Sequence, residues 1–101
     1  MLTRLFKRST SLKGVEMIFL SKDDCHLCDT ALDLVRELQR KHRFDLQVIK
    51  IVRGDEWHDQ YWDKIPVGLA GGRILFKYRV DPDQLLEKLR HTVRDTTLTD
   101  R

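Results

Sequence analysis

Leu27, Ala31, Leu34, Val35 and Leu38 recur at steps of three and four residues, between two apolar runs, Val15–Leu20 and Phe44–Val52. Asp29, Asp33, Glu37 and Lys41 hold the opposite face, so the stretch reads as an amphipathic helix ending near His42. The first run, VEMIFL, is short, with β-branched and aromatic members. In the second, Phe44, Leu46 and Val48 alternate with Asp45 and Gln47 before Ile49, Ile51 and Val52. Both read as strands. Two strands joined by a crossover helix pair in parallel, and the crossover is right-handed. The rest of the chain must be added around that β-α-β unit.

Gly54 and Asp55 open a short stretch with Trp57 and Tyr61 four residues apart, and Asp55 is placed to cap a brief helix. Pro66 begins a third strand, Val67–Ala70. Gly71-Gly72 signals a hairpin into an antiparallel partner, Ile74–Val80. Asp81-Pro82-Asp83-Gln84 is a helix start: Asp81 caps, and Pro82 stands where its missing N–H costs nothing. Leu85, Leu86, Leu89 and Val93 give that helix a buried stripe. The order is β-α-β-α-β-β-α, an α/β chain with helices on both faces of a four-stranded mixed sheet. It is similar to the order of the thioredoxin fold.

At 101 residues the chain makes one domain. We expect a basic N-terminal tail over 1–13, the domain over 14–94 and a flexible tail over 95–101. Arg4, Lys7, Arg8 and Lys13 precede the first acid, which leaves 15 basic against 16 acidic residues in the remainder. The basic excess therefore belongs to the tail, and the mixed signs of the body argue against a nucleic-acid partner. No apolar run approaches the ~20 residues that span a bilayer, so no membrane partner is expected. The first residues, MLTRLFKRSTSLK, are basic and acid-free with Ser and Thr, a composition similar to the start of an organellar transit segment, and lack the apolar core of a secretory signal. The expected location is cytoplasmic, with an organellar matrix as the alternative.

Cys25-His26-Leu27-Cys28 lies between the first strand and the first helix, and the chain has no other cysteine. Two intervening residues let one helical turn bring the sulfurs within bridging distance. Cys25 falls at the helix N-terminus, where unpaired N–H groups and the macrodipole favour a thiolate that attacks disulfides. Cys28, one turn in, is better shielded and suits a resolving thiol. Lys22 and protonated His26 would favour the thiolate, and Asp23 and Asp24 oppose it. C-x-x-C beside a β-α-β pattern is a redox signature. Two other readings stand beside it: a metal half-site completed by His26, His42, His58 or His91, and inert core thiols.

Pro66 starts a sheet strand although proline cannot donate to the ladder. With the Ile65–Pro66 bond cis, the ring would face the cysteines and leave the Ile65 backbone open to a substrate strand. With the bond trans, it is an ordinary strand-start proline. Trp57, Tyr61 and Trp62 either rim a partner site or pack on the sheet. Packing is the expected role for Trp57 and Tyr61, which share a face, and exposure for Trp62.

Ser21-Lys22, Cys25-His26-Leu27-Cys28-Asp29, Ile65-Pro66-Val67 and Gly71-Gly72-Arg73 together resemble a glutaredoxin-like protein, more narrowly a small C-H-L-C branch of the thioredoxin superfamily, over residues 14–93. The resemblance implies the thioredoxin fold, Cys25 as nucleophile, Cys28 as resolving thiol and a cis Pro66. Lys22 matches the lysine three before the first cysteine. Common glutaredoxins carry C-P-Y-C, and a Gly-Gly followed by an acidic pair at the last helix that helps hold glutathione. Here His26-Leu27 and Arg79-Val80-Asp81-Pro82-Asp83 stand in those places.

The expected function is thiol–disulfide exchange through Cys25 and Cys28, with Lys22, His26, Ile65 and Pro66 meeting the substrate. No bound cofactor or metal is expected. Reducing equivalents would come from glutathione or a reductase. The partner would be a disulfide-containing protein or a glutathione mixed disulfide, met by a monomer. The competing class is a binding module that holds a partner strand on its Ile65-Pro66-Val67 face, its cysteines inert or metal-bearing. A glutathione-ligated iron–sulfur carrier is a third, opposed by the second cysteine.

Overall fold

The computed structural model describes residues 12–99, and side chains as far as Thr92. β1 (Glu16–Ser21), α1 (His26–His42), β2 (Asp45–Lys50), α2 (Glu56–Tyr61), β3 (Val67–Ala70), β4 (Arg73–Lys77) and α3 (Pro82–Thr99) follow in the order expected. The sheet order is β2-β1-β3-β4. β1 and β2 pair in parallel, from Glu16 opposite Asp45 to Ser21 opposite Lys50, as the α1 crossover requires. β3 runs antiparallel to β1, and β4 to β3. Gly71 and Gly72, at φ +58° and +80°, supply the left-handed pair that a two-residue hairpin turn needs.

Side chains of β1 alternate between two apolar clusters, as strand geometry dictates. Met17 and Phe19 join Val35, Phe44, Leu85 and Leu89 on the face where α1 and α3 pack together. Leu20 joins Cys28, Ile51, Ile65, Val67 and Leu69, with Trp57 and Tyr61 of α2 against them.

The buried stripe of α1 differs from the expected one. Leu27 is 52% exposed and Leu34 37%, while the face toward the sheet is Cys28, Ala31, Val35 and Leu38. Cys28 takes an apolar position that periodicity had given to its neighbour, and the helix is turned accordingly. The opposite end of α1 is closed by the chain itself. Arg43, at φ +63°, donates its N–H to the Gln39 carbonyl, and Gln39 Nε2 donates to the Phe44 carbonyl.

Leu12, assigned from sequence to the tail, is buried, and its N–H donates to the His42 carbonyl at 2.7 Å. The last carbonyls of a helix need donors, and this one recruits the preceding segment. β4 ends at Lys77 rather than Val80 because Tyr78 adopts φ +68°. Its N–H donates to the carbonyl of Pro66 at 2.8 Å and to that of Lys64 at 3.3 Å. α3 continues to Thr99, past residue 94. Residues 1–11 and 100–101 lie outside the described residues, and Val93 outside the described side chains.

Both expected caps form. Asp81 Oδ1 accepts the N–H groups of Asp83 and Gln84 at the start of α3. Asp55 accepts the N–H of His58 at 2.7 Å and, from the preceding loop, that of Val52 at 2.9 Å. The Val52 N–H, reinforced by that of His58, holds the Asp55 carboxyl below the usual carboxylate range. A depressed folded-state value means stabilisation that is present above the unfolded value, about 4, and lost as pH falls through the folded one. Asp55→Ala should therefore lower the thermal midpoint at pH 7. The gap from the parent chain should close as the melts are repeated below pH ~4.

A Cβ at Gly68 would collide with the Phe76 ring and come within 2.8 Å of Met17 Cε. Phe76 is itself fixed against Phe19, ring centroids 6.0 Å apart. Gly68→Ala should cost about 1–3 kcal/mol of stability by overpacking, read from denaturant unfolding.

Candidate functional site

Cys25 is the N-cap of α1, in extended backbone geometry, and its sulfur accepts the Cys28 N–H at 3.1 Å. The first-turn amide that any helix leaves without an internal partner is thus aimed at this sulfur, an arrangement that favours a thiolate. Asp24, at φ +55°, turns the chain into the helix; aspartate is among the residues that tolerate this left-handed geometry. Cys25 is half-buried and Cys28 only 3% exposed. Their Cα atoms are 5.2 Å apart and the two are joined in a disulfide. One sulfur is open to a reactant and the other is held behind it.

Lys22 and His26, expected to meet a substrate, are exposed and line a cleft of about 350 Å³ together with both cysteines. Ile65 and Pro66 are buried. Ile65 lies in the apolar cluster that contains Cys28, and the Ile65–Pro66 bond is cis. Neither side chain offers surface to a ligand, so any contact with a substrate falls to the backbone there. The Pro66 carbonyl is already engaged by Tyr78.

Lys50 escaped the sequence reading. It stands across from Ser21 in the β1–β2 register, lines the same cleft, and pairs with Asp23 at 3.2 Å. Only the register could have pointed to it, since nothing in the local sequence ties β2 to the cysteines. The pair leaves Lys22 as a cation and Asp24 and Asp29 as anions along the cleft, with the His26 side chain among them. Its charge is mixed rather than strongly positive.

Trp57 and Tyr61 pack together, ring centroids 6.2 Å apart, against the cluster that contains the cysteines. Trp62 is 56% exposed and stacks on His58. These placements match the division expected from helical spacing. His42, His58 and His91 sit in three different helices. Among the described residues no three His, Cys, Asp or Glu side chains converge as a metal-ligating group.

The model of the Glutaredoxin-like domain (DUF836) matches residues 16–90. A Dictyostelium discoideum protein described as a glutaredoxin-like protein YDR286C homolog is 31% identical over 102 aligned residues, covering 93% of this chain and 90% of the relative. Among solved structures, protein Ne2328 from Nitrosomonas europaea superposes with a TM-score of 0.66 at 28% identity, over 75% of this chain and 92% of its own. Thioredoxin 1 from Thermosipho africanus superposes with a TM-score of 0.50 at 13% identity, over 85% of this chain and 99% of its own, a likeness of fold alone. Site geometry, sheet order and these matches agree: the chain has the thioredoxin fold and belongs to the glutaredoxin-like family.

Proposed function

We propose that this protein is a thiol–disulfide oxidoreductase working through Cys25 and Cys28. The observation that carries the reading is the asymmetry of the pair: an accessible N-cap sulfur that receives a helix amide, and a buried sulfur within bridging distance. In the reduced protein the Cys25 thiolate attacks one sulfur of a substrate disulfide. A Cys25–substrate bond forms, and the other substrate sulfur leaves as a thiolate and takes up a proton. Cys28, deprotonated, then attacks Cys25 Sγ and releases the second substrate thiol. The protein dithiol has lost two electrons and the substrate disulfide has gained them. Two thiols of a reductant, glutathione or the dithiol of a reductase, reverse the oxidation.

In this reading the chain acts as a monomer in a reducing compartment, cytoplasm or organelle matrix, with no resident cofactor. Lys22 and His26 line the approach to Cys25, and the substrate is a disulfide-bearing protein or a glutathione mixed disulfide. Equilibration in graded glutathione buffers, with thiols counted by alkylation and mass, should show a reversible two-electron transition within about −180 to −320 mV. Cys25→Ser should reduce turnover of hydroxyethyl disulfide to background, and Cys28→Ser should accumulate a mixed disulfide visible by mass. A Cys25→Ser protein that keeps its full rate would overturn the mechanism.

A further inference from the structure

Three carboxylates and two ammonium groups share the cleft that holds the cysteines, Asp23, Asp24 and Asp29 against Lys22 and Lys50. With imidazole neutral, as at about pH 8, the lining carries one negative charge in excess. The five do not stand alike toward the sulfurs. Asp24 immediately precedes Cys25, and Asp29 follows Cys28. Lys50 arrives from β2, opposite Ser21 in the strand register, and Asp23 holds its ammonium group at 3.2 Å. Both side chains of that pair are well exposed, so the bridge adds little to stability. Its effect is on the charge that a reactant meets.

Two amides at the start of α1 are spent within the chain. The Cys28 N–H is directed at Cys25 Sγ, and the Asp29 N–H donates to the Cys25 carbonyl. An anionic group that arrives at Cys25 therefore meets Lys22, a second lysine already occupied, and the two remaining carboxylates. A cationic group meets Asp24 and Asp29, both exposed on the cleft.

Resting on the redox reading, we propose that Asp23 is a specificity-determining residue of the exchange reaction: by occupying Lys50 it leaves the cleft net negative, so that Cys25 prefers disulfides carrying a positive charge beside the bridge. The substrate class is a disulfide flanked by lysine, arginine or another amine, and anionic disulfides are disfavoured. The exchange itself is unchanged. Two electrons pass from the Cys25–Cys28 dithiol to the substrate bridge, whose halves leave as two thiols. The charges act on the encounter and on the mixed disulfide, through a Coulomb attraction that water and salt weaken.

The test uses the full chain, reduced, freed of reductant and mixed at about pH 8 with cystamine, hydroxyethyl disulfide or dithiodipropionate, which are cationic, neutral and anionic disulfides of similar size. Oxidation is followed by alkylation and mass. Each second-order rate is divided by that of the same disulfide with dithiothreitol, which removes intrinsic reactivity. The parent protein should favour cystamine over dithiodipropionate by about three-fold or more, the scale of one charge pair ~6 Å apart in water. Hydroxyethyl disulfide should fall between them, and the spread should narrow in about 1 M salt. Asp23→Asn should shrink the preference, Asp23→Glu should keep it, and Lys50→Gln should enlarge it. Opposite signs separate a charge effect from a structural one, because a bridge that only orders the loop is lost equally from either side. Equal normalised rates in the parent, or Asp23→Asn and Lys50→Gln moving the preference in the same direction, overturn the specificity role and leave the redox reading standing. A reduced parent protein that none of the three disulfides oxidises overturns the redox reading, and the proposal with it.

Discussion

Burial of one face of α1 against the sheet sets the rotation of that helix, and the cysteine pair takes its asymmetry from the rotation. Cys28, Ala31, Val35 and Leu38 are the buried positions. Each is small or apolar, and together they form a stripe of three- and four-residue steps. A rotation by one residue, about 100° in an α-helix, would bring Leu27 and Leu34 inward and carry Cys28 toward solvent. Val35 and Ala31 would leave the core with it. The side chains of β1 and α3 packed there, Phe19 and Leu89 among them, select the observed setting. Cys25 escapes burial because it precedes the first helical residue. Packing alone thus makes one sulfur accessible and the other not.

The two ends of α1 are treated differently, with a consequence for reactivity. At the C-terminus, Leu12 and the Arg43 turn close the backbone, with donors from the chain itself. At the N-terminus a sulfur performs the cap. A cysteine is a weak acceptor beside the serine or aspartate usual at such positions, until it is ionised. The thiolate is then the better-bonded state of that cap, and the helix field acts in the same direction. Asp55 and Asp81 cap the other two helices in the ordinary way, so the sulfur cap is confined to α1.

Strand and helix order were legible because each signal is local: alternation in Asp45–Val48, the Gly71-Gly72 turn, the Asp81-Pro82 start. The cysteine pair was legible for the same reason. What escaped depends on contacts between distant segments. Periodicity assigned Leu27 and Leu34 to the core because leucine outranks cysteine as an apolar residue, yet a buried cysteine behaves as a small hydrophobe. Leu12 is drawn in by a carbonyl some thirty residues away, and Lys50 joins the cleft of the cysteines through strand register. Tyr78 cuts β4 short through a backbone bond to Pro66. None of these is written in a window of ten residues.

The path from β4 into α3 also accounts for the missing glutathione signature in physical terms. Pro82 sits at the first helical position and Asp81 before it, so the helix is pre-set to start there and its own aspartate occupies the first free amides. A helix terminus that presents its amides to a ligand must leave them uncapped, and this one does not. The connection into α3 instead faces the exposed flank of α1 across a groove lined by Leu27, Thr30, Leu34, Tyr78, Arg79 and Val80. Arg79 is the one charged residue of that lining. The two places where the sequence departs from the common glutaredoxin pattern, Leu27 inside C-x-x-C and Arg79-Val80 before α3, line one and the same groove.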